Sequence, residues 1–280
     1  MSSHADGLLF APALGPAFGS VIRRGDWVVR LAEDSEMDAV LALRAQAFRG
    51  SARADDRDSF DARSHHLWVG PAGAGQGPQA TARLQIHSDV SSLLAGYSAQ
   101  FYDLTPLAPT RAPVIAPVIE LGRLCTAPQA NTVPQANTAP QANTATQAEL
   151  LRLLWAGLAR LALRSGAARL IGCTSFPGVD AGALTPALSL LAARHLGPIS
   201  CRPLAGSCES LWFGGYDAPP GPEGLAQLPP VLRAYLAMGG GVSDHLVIDR
   251  DLGTCHVLTC VDVAMMPAAR KRALTALSGD

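Results

Sequence analysis

The stretch VIELGRLC, residues 118–125, carries two charged side chains through an otherwise apolar run. The run is typical of a buried strand, where a charged side chain is costly unless it is paired or used. Glu120 and Arg123 are three residues apart, so a regular strand would point them to opposite faces of its sheet. Gly122 lies between them and favours a β-bulge, which would bring both charges to one face and splay the strand open. Two interpretations follow: a buried structural Glu–Arg pair, or a functional pair in an opened sheet.

Strands and helices alternate on both sides of this stretch. The alternation predicts an α/β or α+β sheet with helices packed on its faces. The predicted strands are 27–32, 66–72, 80–88, 168–176 and the strand-like segment 245–263, and the predicted helices are 36–48, 149–164, 183–196, 228–241 and a final basic helix.

The composition limits the class of protein. The chain has 280 residues, 48% of them hydrophobic and 16% charged, with a formal net charge of −1. This balance argues against a nucleic-acid-binding protein, which usually has a basic excess. The six cysteines form no CxxC pair, and those inside apolar strands, Cys125, Cys173 and Cys260, indicate buried free thiols of a reducing compartment. We expect residues 1–26 to form a flexible arm and residues 27–280 to form a single domain.

Two further segments carry polar side chains. The segment DDRDSFDARSHH, residues 55–66, has no ligand spacing specific for a metal, so a solvated charged loop is the simpler interpretation and no metal site is predicted. Arg83 lies in the alternating segment ATARLQIHS, where either an exposed edge or a functional role would explain it. The chain contains no GxSxG, Walker or GxGxxG motif, which leaves serine-hydrolase, nucleotide-hydrolysing and Rossmann interpretations without support.

Taken in order along the chain, these pieces resemble the L-ornithine N-alpha-acyltransferases, relatives of the acyl-homoserine-lactone synthases in the GNAT superfamily. The resemblance covers residues 27–275 and depends on the ordered set of motifs more than on any one of them. The motifs are Arg44, Phe48, DSFD at 58–61, Arg83, GYSAQFYDL at 96–104, ELGR at 120–123, GCTSFPGVD at 172–180 and LPPVLRAYLAMGG at 228–240.

The resemblance implies a GNAT-like fold, with a central mixed sheet splayed at the ELGR strand and helices on both faces. The family moves a 3-hydroxyacyl chain from acyl carrier protein to the alpha-amine of ornithine, giving lyso-ornithine lipid. We therefore expect a cytoplasmic acyltransferase without a permanently bound cofactor. Its donor would be the acyl-phosphopantetheine of acyl carrier protein, and its acceptor a small amino acid.

The resemblance also implies roles for the charged residues. Glu120 is the expected catalytic base, which takes a proton from the acceptor amine. The expected substrate-binding residues are Arg44, Asp58, Asp61, Arg83 and Arg123. An arginine at 83 or 123 would clamp the carboxylate of the acceptor, and the two aspartates would pair with the ornithine side chain. The alternative is that these charges mainly order the N-terminal loop.

Two histidines depart from the family pattern. His65 and His256 stand where the relatives tend to carry an acid, and both changes remove negative charge. Less negative charge suits a cationic acceptor less well, so glutamine is an alternative to ornithine.

Repeated hexads of the type TAPQAN fill residues 126–149, just after the ELGR strand. This low-complexity loop, 126–148, occupies the position where coenzyme-A-dependent GNAT enzymes hold a pyrophosphate on backbone N–H groups. It contains neither glycine nor a basic residue, and Pro128, Pro134 and Pro140 lack an N–H donor. The loop therefore favours acyl carrier protein over coenzyme A as donor. A coenzyme-A-dependent N-acetyltransferase and a non-enzymatic GNAT-like domain are the alternatives.

The predicted C-terminal helix carries Arg270, Lys271 and Arg272 in succession. Such a cluster can contact anionic lipid, which would place the protein peripherally on a membrane. A solvated basic helix is the simpler interpretation, and no contact with nucleic acid is expected.

Overall fold

The computed structural model of the chain describes residues 18–73, 75–108, 114–128, 147–215 and 221–279. The strands are β1 (Ile22–Arg24), β2 (Trp27–Leu31), β3 (His65–Pro71), β4 (Ala80–Asp89), β5 (Tyr102–Asp103), β6 (Val114–Thr126), β7 (Arg169–Pro177), β8 (Leu204–Ala205), β9 (Ser210–Trp212), β10 (Gly241–Val242), β11 (His245–Asp249) and β12 (Thr254–Asp262). The α-helices are α1 (Met37–Arg49), α2 (Val90–Leu94), α3 (Gln147–Ser165), α4 (Thr185–Arg194), α5 (Pro222–Gln227), α6 (Pro230–Ala237) and α7 (Ala268–Ser278). Within the described ranges, no helix has both the length and the apolar composition needed to cross a bilayer.

Contacts along the chain divide it into two compact units. The first unit comprises residues 1–85 and 123–157, and the second comprises residues 86–122 and 158–280. As a result, β4, β6 and α3 each begin in one unit and end in the other, and neither unit is a continuous segment. β1 lies near the end of the predicted arm, while residues 1–17 of that arm and residues 129–146 of the hexad loop lie outside the described residues.

The first unit contains the antiparallel strands β1-β2-β3-β4 in chain order. Successive side chains of a strand point to opposite faces, so Val28 and Val29 of β2 contact different helices. Val40 of α1 packs with Val28 and Trp68 in a buried cluster. On the other face, a Cβ on Gly157 of α3 would lie 2.9 Å from Cγ1 of Val29, so helix and strand are in close contact. A helix therefore covers each face of this part of the sheet.

The second unit contains a mixed sheet in the order β6-β7-β12-β11-β9. β6 and β7 are parallel, and the other neighbours are antiparallel. One face packs against α4 and α6 through Leu188 and Leu232. The other face packs against residues 90–108 through Leu93 and Tyr102. The predicted mixed sheet with helices on its faces is therefore confirmed.

β6 and β7 separate immediately after Glu120. Their parallel pairing joins Val118–Glu120 to Arg169–Ile171, although both strands continue beyond these residues. At the last close approach, Gly172 has no room for a side chain, because a Cβ there would overlap the carbonyl oxygen of Leu121. The sheet of the second unit thus opens within the ELGR stretch, where the resemblance implied a splay.

Arg123 breaks the regular course of β6. Its φ is 48°, and in the described part of the chain no other non-glycine residue has a positive φ. This left-handed conformation is costly for a residue with a Cβ and changes the direction in which its side chain points. The irregularity predicted at Gly122 is therefore centred on the next residue.

Candidate functional site

The Glu120 cluster is a buried carboxylate with three hydrogen-bond donors around it. Its members are His87, Gly96, Tyr97, Ser98 and Glu120, all in the second unit. Oε2 of Glu120 lies 3.0 Å from Nε2 of His87 and accepts the backbone N–H of Tyr97, also at 3.0 Å. Oε1 accepts the backbone N–H of Ser98 at 2.5 Å. The side chains of His87 and Glu120 are only 4% and 3% exposed, so the whole arrangement is shielded from solvent.

The chain between β4 and β5 brings these donors together. β4 ends at Asp89, whose side chain accepts the backbone N–H of Ser92 at 2.7 Å and so caps the N-terminus of α2. The helix ends after one turn, and the chain then passes over the carboxylate at Gly96. A Cβ on Gly96 would lie only 2.5 Å from Oε2 of Glu120. The absent side chain is therefore what lets this turn approach the carboxylate.

The surroundings of Glu120 fix its ionisation. Burial by itself would raise the pKa of this carboxyl, but the hydrogen bonds from His87 and Ser98 lower the pKa below its ordinary value. Glu120 is therefore ionised, and an ionised carboxylate only accepts hydrogen bonds. An ionised carboxylate bonded in this way holds its three donors in place, and the expected role of Glu120 as the catalytic base stays a prediction.

We expect Gly96→Ala to disrupt the Glu120 cluster. The added methyl group would lie 2.5 Å from Oε2 of Glu120 and 3.1 Å from Cε1 and Nε2 of His87, so the turn or the pair must shift. A displacement of about 1 Å near a reacting centre costs about 10²-fold in rate. Steady-state acyl-transfer assays measure the loss, and Gly73→Ala is the control because nothing lies within 4 Å of its added Cβ. Equal rates for the two variants would contradict the assignment of this cluster to the active site.

The arginine–aspartate cluster is a second polar group, in the first unit. Its members are Arg44, Asp56, Asp58, Asp61, Arg83 and Arg123. Nε and Nη1 of Arg44 lie 2.9 Å and 2.6 Å from carboxylate oxygens of Asp56 and Asp61. Nη1 of Arg83 lies 2.5 Å from Oδ1 of Asp58 and 3.0 Å from Oδ1 of Asp61. These six side chains join three guanidinium groups to three carboxylates, and Nε of a fourth arginine, Arg49, lies 3.4 Å from Oδ1 of Asp56.

The two charges of the ELGR stretch have separate partners. Nε of Arg123 lies 3.2 Å from Oδ2 of Asp56, and its Nη2 lies 3.5 Å from Oδ2 of Asp58. Glu120 is instead bonded by His87 and by two backbone N–H groups. The interpretation of Glu120 and Arg123 as a mutual ion pair is therefore wrong.

The structure gathers all the predicted substrate-binding residues into the arginine–aspartate cluster, where they pair with one another. Their binding of a substrate stays a prediction. Asp56 completes the cluster but was not singled out from the sequence, although it lies in the acidic segment 55–66. His87 and the turn at Gly96 were also missed as members of a site. The signal that points to His87 is a polar side chain on a buried, alternating strand.

Asp61 and His66 make the first unit sensitive to acid. Burial by itself would raise the pKa of Asp61, but the hydrogen bond and charge of Arg44 lower it to about 2. Burial, helped by the charge of Arg44, lowers the pKa of His66 to about 4. In both cases the unfolded chain takes up its proton at a higher pH than the folded chain does. The stability that each group contributes is therefore lost as the pH falls.

We expect the thermal midpoint to fall in two steps on acidification. The first step lies between pH 6.5 and about 4, where His66 and His256 are protonated only in the unfolded chain. The second step lies between pH 3.8 and about 2, where Asp61 is protonated in the unfolded chain but not in the folded chain. Circular-dichroism melts at several pH values measure both, and His66→Gln reduces the first step. A midpoint that stays constant from pH 7 to 4 would contradict this prediction.

His256, one of the two departures from the family pattern, lies beside Tyr102. The tyrosine hydroxyl donates to the carbonyl oxygen of His256 at 2.8 Å and lies 3.1 Å from its Nδ1. Burial lowers the pKa of His256 to about 4, so the ring is neutral at pH 7. The side chain of His256 therefore carries no charge at pH 7, at a position where the relatives tend to carry an acid.

Known proteins resemble this chain in sequence and in fold. Residues 42–136 match the family model described as an acetyltransferase (GNAT) domain. The L-ornithine N(alpha)-acyltransferase of Rhizobium meliloti is 30% identical over 268 residues, which cover 89% of this chain and 84% of that protein. The L-ornithine N(alpha)-acyltransferase of Rhodobacter capsulatus is 29% identical over 165 residues, which cover 59% of this chain and 56% of that protein. The match therefore spans little more than half the length of the second relative.

Among solved structures, FeeM, an N-acyl amino acid synthase from uncultured soil microbes, is similar over 86% of this chain and 93% of its own, with 13% identity and a TM-score of 0.43. The match to a GNAT domain agrees with the observed fold, a mixed sheet in which β6 and β7 separate after Glu120. The identity to the Rhizobium meliloti protein extends over almost the whole chain. The chain therefore belongs to the L-ornithine N(alpha)-acyltransferase family.

Proposed function

We propose that this protein transfers a 3-hydroxyacyl group from acyl carrier protein to the alpha-amine of L-ornithine, giving lyso-ornithine lipid. The observation that carries the proposal is the 30% identity, over 89% of the chain, to a protein named for acylating that amine. The product is an amide, and the sulfur of the carrier's phosphopantetheine is the leaving group. The protein acts in the cytoplasm, with peripheral contact to an anionic membrane surface through Arg270, Lys271 and Arg272.

The opening of the second unit's sheet supports this chemistry. Past Glu120, β6 and β7 no longer pair, and an opened strand pair gives a thioester arm a place to enter. The backbone N–H groups of Tyr97 and Ser98 are already used by Glu120. We therefore assign the stabilisation of the tetrahedral oxyanion to backbone N–H groups of β6 beyond Glu120, where donors preorganised for the transition state are most effective.

The choice of donor depends on the segment between β6 and α3. A coenzyme A enzyme holds two phosphates there on N–H groups at a helix N-terminus. Residues 126–149 offer no glycine and no basic side chain, and three prolines remove N–H donors. A carrier-bound pantetheine has a single phosphodiester and so requires fewer donors. This difference supports acyl carrier protein as the donor.

We assign the arginine–aspartate cluster to ordering the loop that precedes β3. Each of its carboxylates pairs with at least one guanidinium group, and Arg44 lies wholly out of solvent. Charges that are already paired in this way have less capacity for the two charged ends of an ornithine molecule. We therefore assign binding of the acceptor to polar groups near the opened strands of the second unit.

One assay tests donor and acceptor together. The purified protein is incubated with 3-hydroxyacyl carrier protein or 3-hydroxyacyl-coenzyme A of equal chain length, and with ornithine, glutamine or a homoserine derivative. Mass spectrometry identifies the amide product. We expect N-acylornithine from the carrier protein alone. Acylglutamine would overturn the acceptor, efficient use of coenzyme A would overturn the donor, and absence of every amide would overturn the function.

A further inference from the structure

We propose that His87 is the catalytic base of this reaction, and that Glu120 is the positioning residue that fixes its ring. The inference rests on the proposed acyl transfer to an amine, and it moves proton acceptance from the carboxylate expected from the sequence to a neighbouring imidazole. Three observations support this inference: the Glu120 carboxylate is ionised, its hydrogen bond fixes the tautomer of His87, and packing fixes the orientation of the imidazole ring.

The hydrogen bond to the carboxylate fixes the tautomer of the neutral His87 ring. Glu120 is ionised and already accepts two backbone N–H groups, so it accepts from His87 as well. Nε2 of His87, 3.0 Å away, must then be the nitrogen that carries the hydrogen. In a neutral imidazole the other nitrogen, Nδ1, then holds the free lone pair. Nδ1 forms no hydrogen bond with any residue that the structure describes, so this lone pair is available for a proton.

Packing holds the ring in this orientation. A Cβ on Gly96 would lie 3.1 Å from both Cε1 and Nε2 of His87, so the turn lies close to the same edge of the ring that faces Glu120. The side chain of His87 is 4% exposed and stands on β4, a ten-residue strand. A base on a rigid element keeps its geometry better than one on a loop. The arrangement is a carboxylate–histidine pair, in which the acid sets the tautomer and the imidazole moves the proton.

The reaction balances with His87 in this role. One proton of the acceptor ammonium passes to Nδ1, directly or through one water, and leaves a neutral amine. The amine nitrogen forms a bond to the thioester carbonyl carbon, and the carbon–sulfur bond of the tetrahedral intermediate then breaks. A second nitrogen proton ends on the departing sulfur, so the products are an amide and a thiol. The imidazolium returns its proton to solvent, and Glu120 stabilises it meanwhile.

His87→Gln tests the catalytic role. Glutamine can still donate an N–H to Glu120 but has no basic nitrogen, so the fold is kept while the base is lost. We expect kcat to fall by about 10²–10⁴-fold, the range typical of general-base catalysis, with little change in KM. The acid limb of the kcat–pH profile should disappear. His195→Gln is the matched control, since His195 is a half-buried histidine outside both clusters.

Nitrogen NMR of the histidine-labelled protein tests the same inference without activity. The long-range couplings of His87 should show the neutral tautomer with hydrogen on Nε2, and this assignment should be lost in Glu120→Gln. Hydrogen on Nδ1 would overturn the inference, and so would a His87→Gln enzyme with unchanged kcat and acid limb. Wild-type protein that acylates no amine would instead contradict the proposed function, so the two failures are distinguishable.

Discussion

Glu120→Gln should lower kcat for acyl transfer by about 10²–10⁴-fold, because the ring of the neighbouring imidazole loses the acceptor that sets its tautomer. The amide offers one accepting oxygen and one N–H₂ group where the carboxylate offers two accepting oxygens. At least one of the three donors, His87 Nε2 or the N–H of Tyr97 or Ser98, is then left facing another donor. A buried donor without an acceptor costs about 1–3 kcal/mol, so the fold persists with a lower melting temperature.

The measurement combines steady-state kinetics with thermal unfolding of the same preparation. Glu209→Gln is the matched control, since Glu209 is 53% exposed and pairs with Arg250 at the surface. That change should alter neither rate nor stability measurably. A Glu120→Gln enzyme with wild-type kcat would contradict every catalytic role given to the Glu120 cluster.

Arg44→Ala should lower the free energy of unfolding by about 3–5 kcal/mol, the range found when one partner of a buried ion pair is removed. Arg44 has no exposed side-chain surface and bonds both Asp56 and Asp61, so its loss leaves buried negative charge without compensation. Urea unfolding followed by circular dichroism gives the difference. Arg57→Ala is the control, because Arg57 is 56% exposed and lies 3.6 Å from Asp38. Its removal should cost less than about 1 kcal/mol.

A second variant separates lost charge from lost packing. Adding Asp61→Asn to Arg44→Ala removes one of the stranded carboxylates, so part of the lost stability should return. Non-additive changes of this kind are expected for residues that share a network. Additive losses, or an Arg44→Ala protein as stable as the control, would show that the arginine–aspartate cluster contributes little to the fold.

The regular elements could be predicted from the sequence because their signals are local. The helix at 36–48 and the strands at 66–72 and 80–88 lie within one or two residues of α1, β3 and β4. Their apolar residues repeat with the period of the element, and this pattern is visible in a short window. The mixed sheet followed from the order of these elements, with the GNAT resemblance supplying the position of the opening.

The partners of the charged residues could not be predicted, because they depend on contacts between distant parts of the chain. Glu120 contacts His87, 33 residues earlier, and the backbone of a turn at residues 96–98, for which the sequence predicted no helix or strand. Arg123 bonds Asp56, 67 residues earlier, and its own φ is positive, which no local sequence pattern indicated. Spacing in the sequence suggested that Glu120 and Arg123 belong together, yet backbone geometry gave each a different partner.

The interleaving of the two units has a consequence for the order in which the chain folds during synthesis. A ribosome that has made residues 1–85 has supplied only the first segment of the first unit, and α3 is still missing. Residues 86–122, which belong to the second unit, emerge before residues 123–157 complete the first. Contacts between segments so far apart form slowly, because the intervening chain must be ordered first. The apolar face of β2 and β3 that packs on α3 therefore stays uncovered in the nascent chain, and chaperone dependence during expression is the expected result.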